Sequence, residues 1–346
     1  GKTDSLDIKA FYGRRAVRIM PAPLVMVLVV FLFSWHIMPD EMDRRYLWFE
    51  LALVLLYIYN LRPILFGDNA WFGAERAADT TTYMAHTWSL AVEEHFYMVW
   101  PFLLKWMKLP ELNPKKVVKG LLVFYVAVTA IRYVLDRMVD PDLVSISLFT
   151  FDGFALGAAL AFMFHHNLWS EVRKWFRLEW LAIGGLAVLA IDLLLRDQRY
   201  DGIDYSYWYI TYCGLASAAL IAYLYDNDWG LTAKLMALPP VVYIGKLSYS
   251  LYLWHVPVQV YISSDRFPEW STLQIIVVEQ VLTFAAVLAS YYGVEMPARK
   301  LRKYFVVATP KVESGDAAGE PASAERPVDR PSGTESSPTD RPRTGG

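Results

Sequence analysis

The chain holds one cysteine, Cys213, among 346 residues, so neither a disulfide framework nor a thiolate metal site can be built from it. Cys213 sits in an apolar segment and reads as a buried structural thiol. Charge is scarce too: 20% of residues are charged, against 55% hydrophobic and 15% aromatic, where a soluble domain carries about 25% charged residues. There is no Walker loop, no His-Glu-x-x-His zinc motif and no dinucleotide fingerprint, so no resident metal or cofactor is expected. Nucleic acid is not an expected partner at a net charge of −2. The first residues, Gly1 to Lys9, also lack the basic and apolar regions of a signal peptide. Gly1 is not an initiator, and the expectation is that sequence upstream of it is missing.

The apolar residues come in blocks separated by charged loops, the pattern of a polytopic membrane protein rather than of one large soluble core. A bilayer core of about 30 Å needs about 20 mostly apolar residues per helix. Nine candidate segments lie near 20–38, 46–60, 86–107, 117–135, 146–165, 179–195, 206–225, 240–262 and 272–295. Residues 308–346 are rich in Pro, Ser, Gly, Asp and Glu, and are expected to form a disordered tail outside a membrane domain spanning 1–307.

Lys and Arg cluster in alternate loops, which orients the spans. Arg14, Arg15 and Arg18 put the start of the first segment in the cytoplasm. Lys105 to Lys119, Arg173 to Arg177, Lys234 with Lys246, and Arg299 to Lys303 mark later cytoplasmic ends. The segment 46–60 breaks this alternation, is short, and carries Glu50 with Arg62-Pro63 behind it. It is therefore predicted to be re-entrant or interfacial. The fold expected is an all-α transmembrane bundle of about eight crossings with a cytoplasmic tail.

Three stretches carry chemistry. In His86-Thr-Trp-Ser-Leu-Ala-Val-Glu-Glu-His-Phe-Tyr, helical spacing puts His86, Ser89, Glu93 and Tyr97 near one face, with Glu94 beside them. Ionisable groups in a span are costly and mark function by default. In the second stretch, around Ser-Tyr-Ser-Leu-Tyr-Leu-Trp-His255, the residues Ser248, Tyr252, His255 and Gln259 form one polar face of an apolar helix. That face should look into the bundle, either as a site or as hydrogen-bonded glue between helices. The third is the basic run around Arg14, Arg15 and Arg18, whose forked guanidiniums suit a phosphate. Juxtamembrane basic clusters also serve as plain topology signals and lipid anchors. Two further features read as structural. Asp152 lies at a membrane edge beside a Gly153/Gly157 helix contact, and Glu295 stands four residues before Arg299.

The order Arg-Arg-x-x-Arg-Ile-x-Pro, Thr-Trp-Ser-Leu-Ala-Val-Glu-Glu-x-Phe-Tyr, Phe-Asp-Gly-x-x-x-Gly, Ser-Tyr-Ser-Leu-Tyr-Leu-Trp-His and Val-Glu-x-Pro-Ala-Arg resembles the acyltransferase 3 family of bacterial multi-pass O-acyltransferases. The resemblance runs from about Phe11 to Leu301. It implies an enzyme of the inner membrane that moves an acyl group, usually acetyl, from cytoplasmic acyl-CoA to a hydroxyl of a carbohydrate or glycosylated metabolite. By the same resemblance, Arg14, Arg15 and Arg18 would hold the CoA phosphates. Glu93 and Glu94, with Ser89 and Tyr97, would shape the reaction site, and His255 and Tyr252 would line it. The family pattern has two earlier helices, the first bearing a His regarded as the catalytic base. The resemblance therefore places that base upstream of Gly1 and implies an N-terminally truncated chain. A glycan or small-anion transporter and an inactive membrane scaffold are the alternative readings.

Overall fold

The computed structural model describes residues 7–37, 41–62, 83–108, 111–138, 151–173, 178–195, 206–226 and 230–305. Among them the regular secondary structure is all helical, with no strand. The tail expected at 308–346 lies outside the described residues, as do residues 146–150 of the fifth predicted segment. The helices are α1 (Ile8–Ile19), α2 (Pro21–Ile37), α3 (Glu41–Leu55), α4 (Trp88–Trp106), α5 (Pro114–Met138), α6 (Asp152–His165), α7 (Trp169–Val172), α8 (Leu178–Leu195), α9 (Ser206–Asp226), α10 (Leu231–Met236), α11 (Pro239–Tyr261), α12 (Thr272–Ser290) and α13 (Met296–Lys300). A π turn (Tyr291–Glu295) joins α12 to α13, and a 3₁₀ turn (Leu301–Phe305) follows α13.

Among the described residues, three helical runs are long and apolar enough to cross a membrane: Ile8–Ile37, Pro114–Leu135 and Thr272–Phe305. Residues 152–165, 182–191 and 211–225 form shorter apolar helices. α2 shows why this surface belongs in lipid. Its buried positions Ala22, Met26, Val30 and Ser34 recur every fourth residue, yet Leu24, Leu28 and Leu32 on other faces are more than half exposed. A helix apolar all round, with large aliphatic side chains facing out, is stable only in an apolar solvent.

The first helix starts earlier than the apolar pattern indicates. Asp7 caps α1, its side chain accepting from the Ala10 N–H at 2.9 Å. The basic run is thus helical and leads directly into α2. A search for apolar blocks cannot see such an amphipathic, arginine-bearing extension.

Residues 41–62 fold back on themselves. α3 returns along α2, with Trp48 Nε1 donating to Ser34 Oγ at 3.2 Å and the Trp48 ring 5.3 Å from Trp35. The chain reverses at Tyr57, whose φ of 54° is left-handed, and a 3₁₀ turn at Tyr59–Leu61 brings Arg62 back to Glu50. That ion pair, at 3.3 Å, is buried, and the Tyr59 hydroxyl donates to Glu50 at 3.0 Å. A buried carboxylate persists because it is paired and hydrogen-bonded.

The main core joins Met26 of α2, Leu47 and Leu51 of α3, Leu247 and Leu253 of α11 and Val287 of α12. α2 and α11 run side by side in the same direction: the Tyr249 hydroxyl donates to the Ile19 carbonyl, and Arg266, just beyond α11, reaches the Ile37 carbonyl. A second cluster packs Ala159 and Met163 of α6 with Trp169 of α7 and Ala222 of α9. Among the described residues, nothing lies within 4 Å of a Cβ placed at Gly153 or Gly157, so the expected helix contact is not seen there. Small residues permit close approach but do not compel it. The close approach is at Gly185 on α8, where a Cβ would lie 2.8 Å from the Ala216 carbonyl oxygen of α9. Gly185→Ala is expected to force α8 and α9 apart and cost about 1–3 kcal/mol, read as a lower midpoint in detergent thermal unfolding; an unchanged midpoint would contradict this packing.

Candidate active site

α1 and α4 pack antiparallel, and the register is set by polar contacts. The Tyr12 hydroxyl donates to the Met98 carbonyl at 2.7 Å, so Arg15, one turn further along α1, meets Glu94, one turn back along α4. Arg15 donates from Nη2 to Glu94 Oε1 at 2.8 Å and to Glu93 Oε1 at 3.2 Å, and from Nε to Glu94 Oε2 at 3.3 Å. Its guanidinium carbon lies 3.2 Å from the Tyr97 ring centroid, a cation–π contact. Two carboxylates and one aromatic face therefore hold a single, nearly buried guanidinium. Glu94 accepts two hydrogen bonds from it and is the more buried carboxylate; Glu93 keeps 40% of its side chain exposed.

This arrangement changes the role expected of Arg15. Its Nε and Nη2 go to Glu93 and Glu94, while Arg15 also lines, with Arg14 and Arg18, a cavity of about 470 Å³. Across it stand Arg299 of α13 and Arg302 of the last 3₁₀ turn, two residues whose contribution the sequence pattern did not reveal. Arg299 also bonds Glu295 at 3.0 Å, the pairing its spacing of four predicts, and Glu295 in turn accepts from the buried Ser250 hydroxyl.

About one turn from Glu93 toward the start of α4, a second polar group forms. Ser89 Oγ and the Tyr252 hydroxyl are 2.9 Å apart, and the Tyr252 hydroxyl donates to the His86 carbonyl. His255 Nδ1 lies 2.7 Å from the Tyr252 carbonyl. A carbonyl can only accept, so Nδ1 carries a proton and donates it. The His86 ring is 5.3 Å from His255 and 5.2 Å from Tyr252, and both of its ring nitrogens are buried without a hydrogen-bond partner. His86 was visible in the motif but its weight was not; an unpaired buried imidazole is a property of packing. The polar stripe on α11 is shorter than its spacing implies. Ser248 and Gln259 are exposed, and Ser248 only bonds the Gly245 carbonyl in its own turn. Tyr252 and His255 alone turn toward α4.

Asp152 stands apart from both groups. It is sealed in the bundle rather than facing an aqueous edge, pairing with Arg132 of α5 at 2.7 Å, each side chain 1% exposed. Its helix still touches the site: Phe154 stacks on Phe96 of α4 with centroids 4.4 Å apart.

The groups aligned along α4 are an arginine-lined cavity, a clamped arginine and a hydroxyl–imidazole cluster. The O-acetyltransferase OatA of Staphylococcus aureus (strain NCTC 8325 / PS 47) is 25% identical over 309 residues, covering 86% of this chain and 49% of that protein. The peptidoglycan O-acetyltransferase OatA of Listeria monocytogenes serovar 1/2a is 28% identical over 314 residues, covering 86% and 47%. The chain thus spans about half the length of the curated relatives it matches. No solved structure matches it. The profile of the family described as acyltransferase domain (acyltransferase 3) matches residues 3–294, and the chain belongs to that family.

Proposed function

We propose that the chain is a membrane O-acyltransferase, transferring acetyl from cytoplasmic acyl-CoA to a carbohydrate hydroxyl, with peptidoglycan the first acceptor to test because one relative's name carries it. One observation supports this above others. Polar groups that are expensive in a span line up along α4, from the arginine cavity through Arg15, Glu94 and Glu93 to Ser89, Tyr252 and His255. An anionic donor at one end and a neutral hydroxyl acceptor at the other use both ends of that seam.

In the reaction the acceptor oxygen attacks the thioester carbonyl, its proton passes to a base, the carbon–sulfur bond breaks, and the thiolate takes up a proton. Tyr252 and Ser89 hold the acceptor hydroxyl, and His255 Nε2 accepts its hydrogen bond. Glu94 and Glu93 fix Arg15 so that its charge faces the developing negative charge on the carbonyl. The protein sits in the bacterial inner membrane with about eight crossings, the 41–62 hairpin re-entrant and the tail cytoplasmic; the reversal at Tyr57 and the return of Arg62 to Glu50 support the re-entrant reading.

Membrane vesicles containing the full chain, given radiolabelled acetyl-CoA and a muropeptide acceptor, are expected to form a base-labile acetyl ester. Tyr252→Phe, which deletes the hydroxyl bonded to Ser89, is expected to cut that rate about 10-fold or more. No labelled ester with any carbohydrate acceptor, or acceptor flux independent of CoA, would overturn the assignment; the latter would favour a transporter.

A further inference from the structure

Five guanidiniums and three carboxylates meet at the arginine cavity and its walls: Arg14, Arg15, Arg18, Arg299 and Arg302 against Glu93, Glu94 and Glu295. Arg15 is spent on Glu93 and Glu94, and Arg299 is shared with Glu295. These eight groups therefore leave two positive charges uncompensated, carried by Arg14, Arg18 and Arg302 around about 470 Å³ of open volume. Phe11 adds an aromatic wall.

The two sides of this cavity come from opposite ends of the chain. α1 contributes Arg14 and Arg18; Leu301–Phe305 contributes Arg302 and lies against α1. Two contacts fasten that turn. Arg14 Nη1 donates to the Phe305 carbonyl at 3.0 Å, and the Phe305 ring occupies the space above Gly13. A Cβ on Gly13 would fall 2.1 Å from Phe305 Cδ1, so only glycine lets the ring seat there.

Resting on the donor reading above, we propose that Leu301–Phe305 is the second jaw of a nucleoside-polyphosphate site, with Arg302 a binding residue opposite Arg14 and Arg18. Guanidinium forks from two sides match adjacent phosphates, and Phe11 offers a face for the base to stack on. A lipid headgroup would offer the same phosphate chemistry without the base. The seating of Phe305 on Gly13 makes the jaw a docked element rather than a loose basic tail.

The test is the affinity of unacylated CoA for the full chain in nanodiscs of neutral phosphatidylcholine. Arg302→Ala is expected to weaken binding about 10-fold or more, the scale of one lost charge-assisted contact, with Arg302→Lys in between. Gly13→Ala is expected to weaken it about threefold or more by displacing Phe305, an exposed side chain at the end of the domain that can move without unfolding the bundle. Dissociation constants within about twofold of the parent for both Arg302→Ala and Gly13→Ala would overturn the proposal, even if acyl transfer is intact. Displacement of CoA by phosphatidylglycerol added to the disc would also overturn it, identifying a headgroup site. Arg302-dependent CoA binding without acyl transfer to any acceptor would support the jaw and sink the proposed function instead.

Discussion

Asp152→Ala is expected to be the most destabilising single change in the described part of the molecule, costing about 3–5 kcal/mol because it strands a buried arginine. Arg132 Nη2 donates at 2.7 Å to both Asp152 Oδ2 and Thr211 Oγ1, Thr129 donates to the same carboxylate oxygen at 3.1 Å, and the Gly153 N–H donates to Oδ1 at 2.9 Å. α5, α6 and α9 are thus tied at one point by a network with 1% exposure on each charged partner. Removing either partner leaves the other charged or unsatisfied where no water reaches. The pair itself is worth far less than its loss costs, because both groups were desolvated to form it. Arg132→Met with Asp152→Leu is therefore expected to recover most of the midpoint lost by either single change in detergent thermal unfolding. Additive loss in the double variant would contradict this account. Since the pair stands apart from both polar groups along α4, the double variant is also expected to keep its CoA affinity.

That pair marks where the sequence stops being legible. Helices carried by uniform apolar runs, such as α2, α9 and α12, could be placed within a few residues, because composition alone dictates them. Helix α1 could not, since its arginines hide a helical segment that Asp7 starts. Asp152 was visible as an ionisable group in an apolar setting, but its partner lies 20 residues away on another helix, and nothing in spacing joins them. Gly153 and Gly157 carried the spacing of a helix contact without making one among the described residues, while Gly185 made one without any motif. At the site, i, i+3 and i+4 periodicity correctly put Ser89 and Glu93 on one face and Tyr252 and His255 on another. It could not show that the two faces meet, nor that the carboxylates would be met by Arg15 from 78 and 79 residues away. Periodicity fixes faces; pairing between faces is a matter of tertiary register.

Arg15 is where that difference becomes measurable. Read from sequence, Arg14 or Arg15 with Arg18 would face one anionic group; in the structure all three line the cavity and Arg15 is the one paired with Glu93 and Glu94. Arg15→Gln is expected to lower acyl-transfer turnover about 100-fold or more while leaving the CoA dissociation constant within about twofold. Arg18→Gln is expected to do the reverse, raising that constant with a smaller effect on turnover. The asymmetry follows from where the charges are already spent. Arg15 lines the cavity too, but it gives three hydrogen bonds to Glu93 and Glu94 and stacks on Tyr97, so two carboxylates already offset its charge toward a phosphate. Removing Arg15 leaves two adjacent carboxylates without their counter-charge, and like charges this close repel. That repulsion moves Glu94 from its place against α1. Glu94→Gln is expected to be more damaging than Glu93→Gln, because Glu94 accepts two of the three bonds and is the more buried partner. Steady-state separation of turnover from donor affinity decides the matter. Equal loss of CoA affinity in Arg15→Gln and Arg18→Gln would return Arg15 to the phosphate site and remove the clamp from the mechanism.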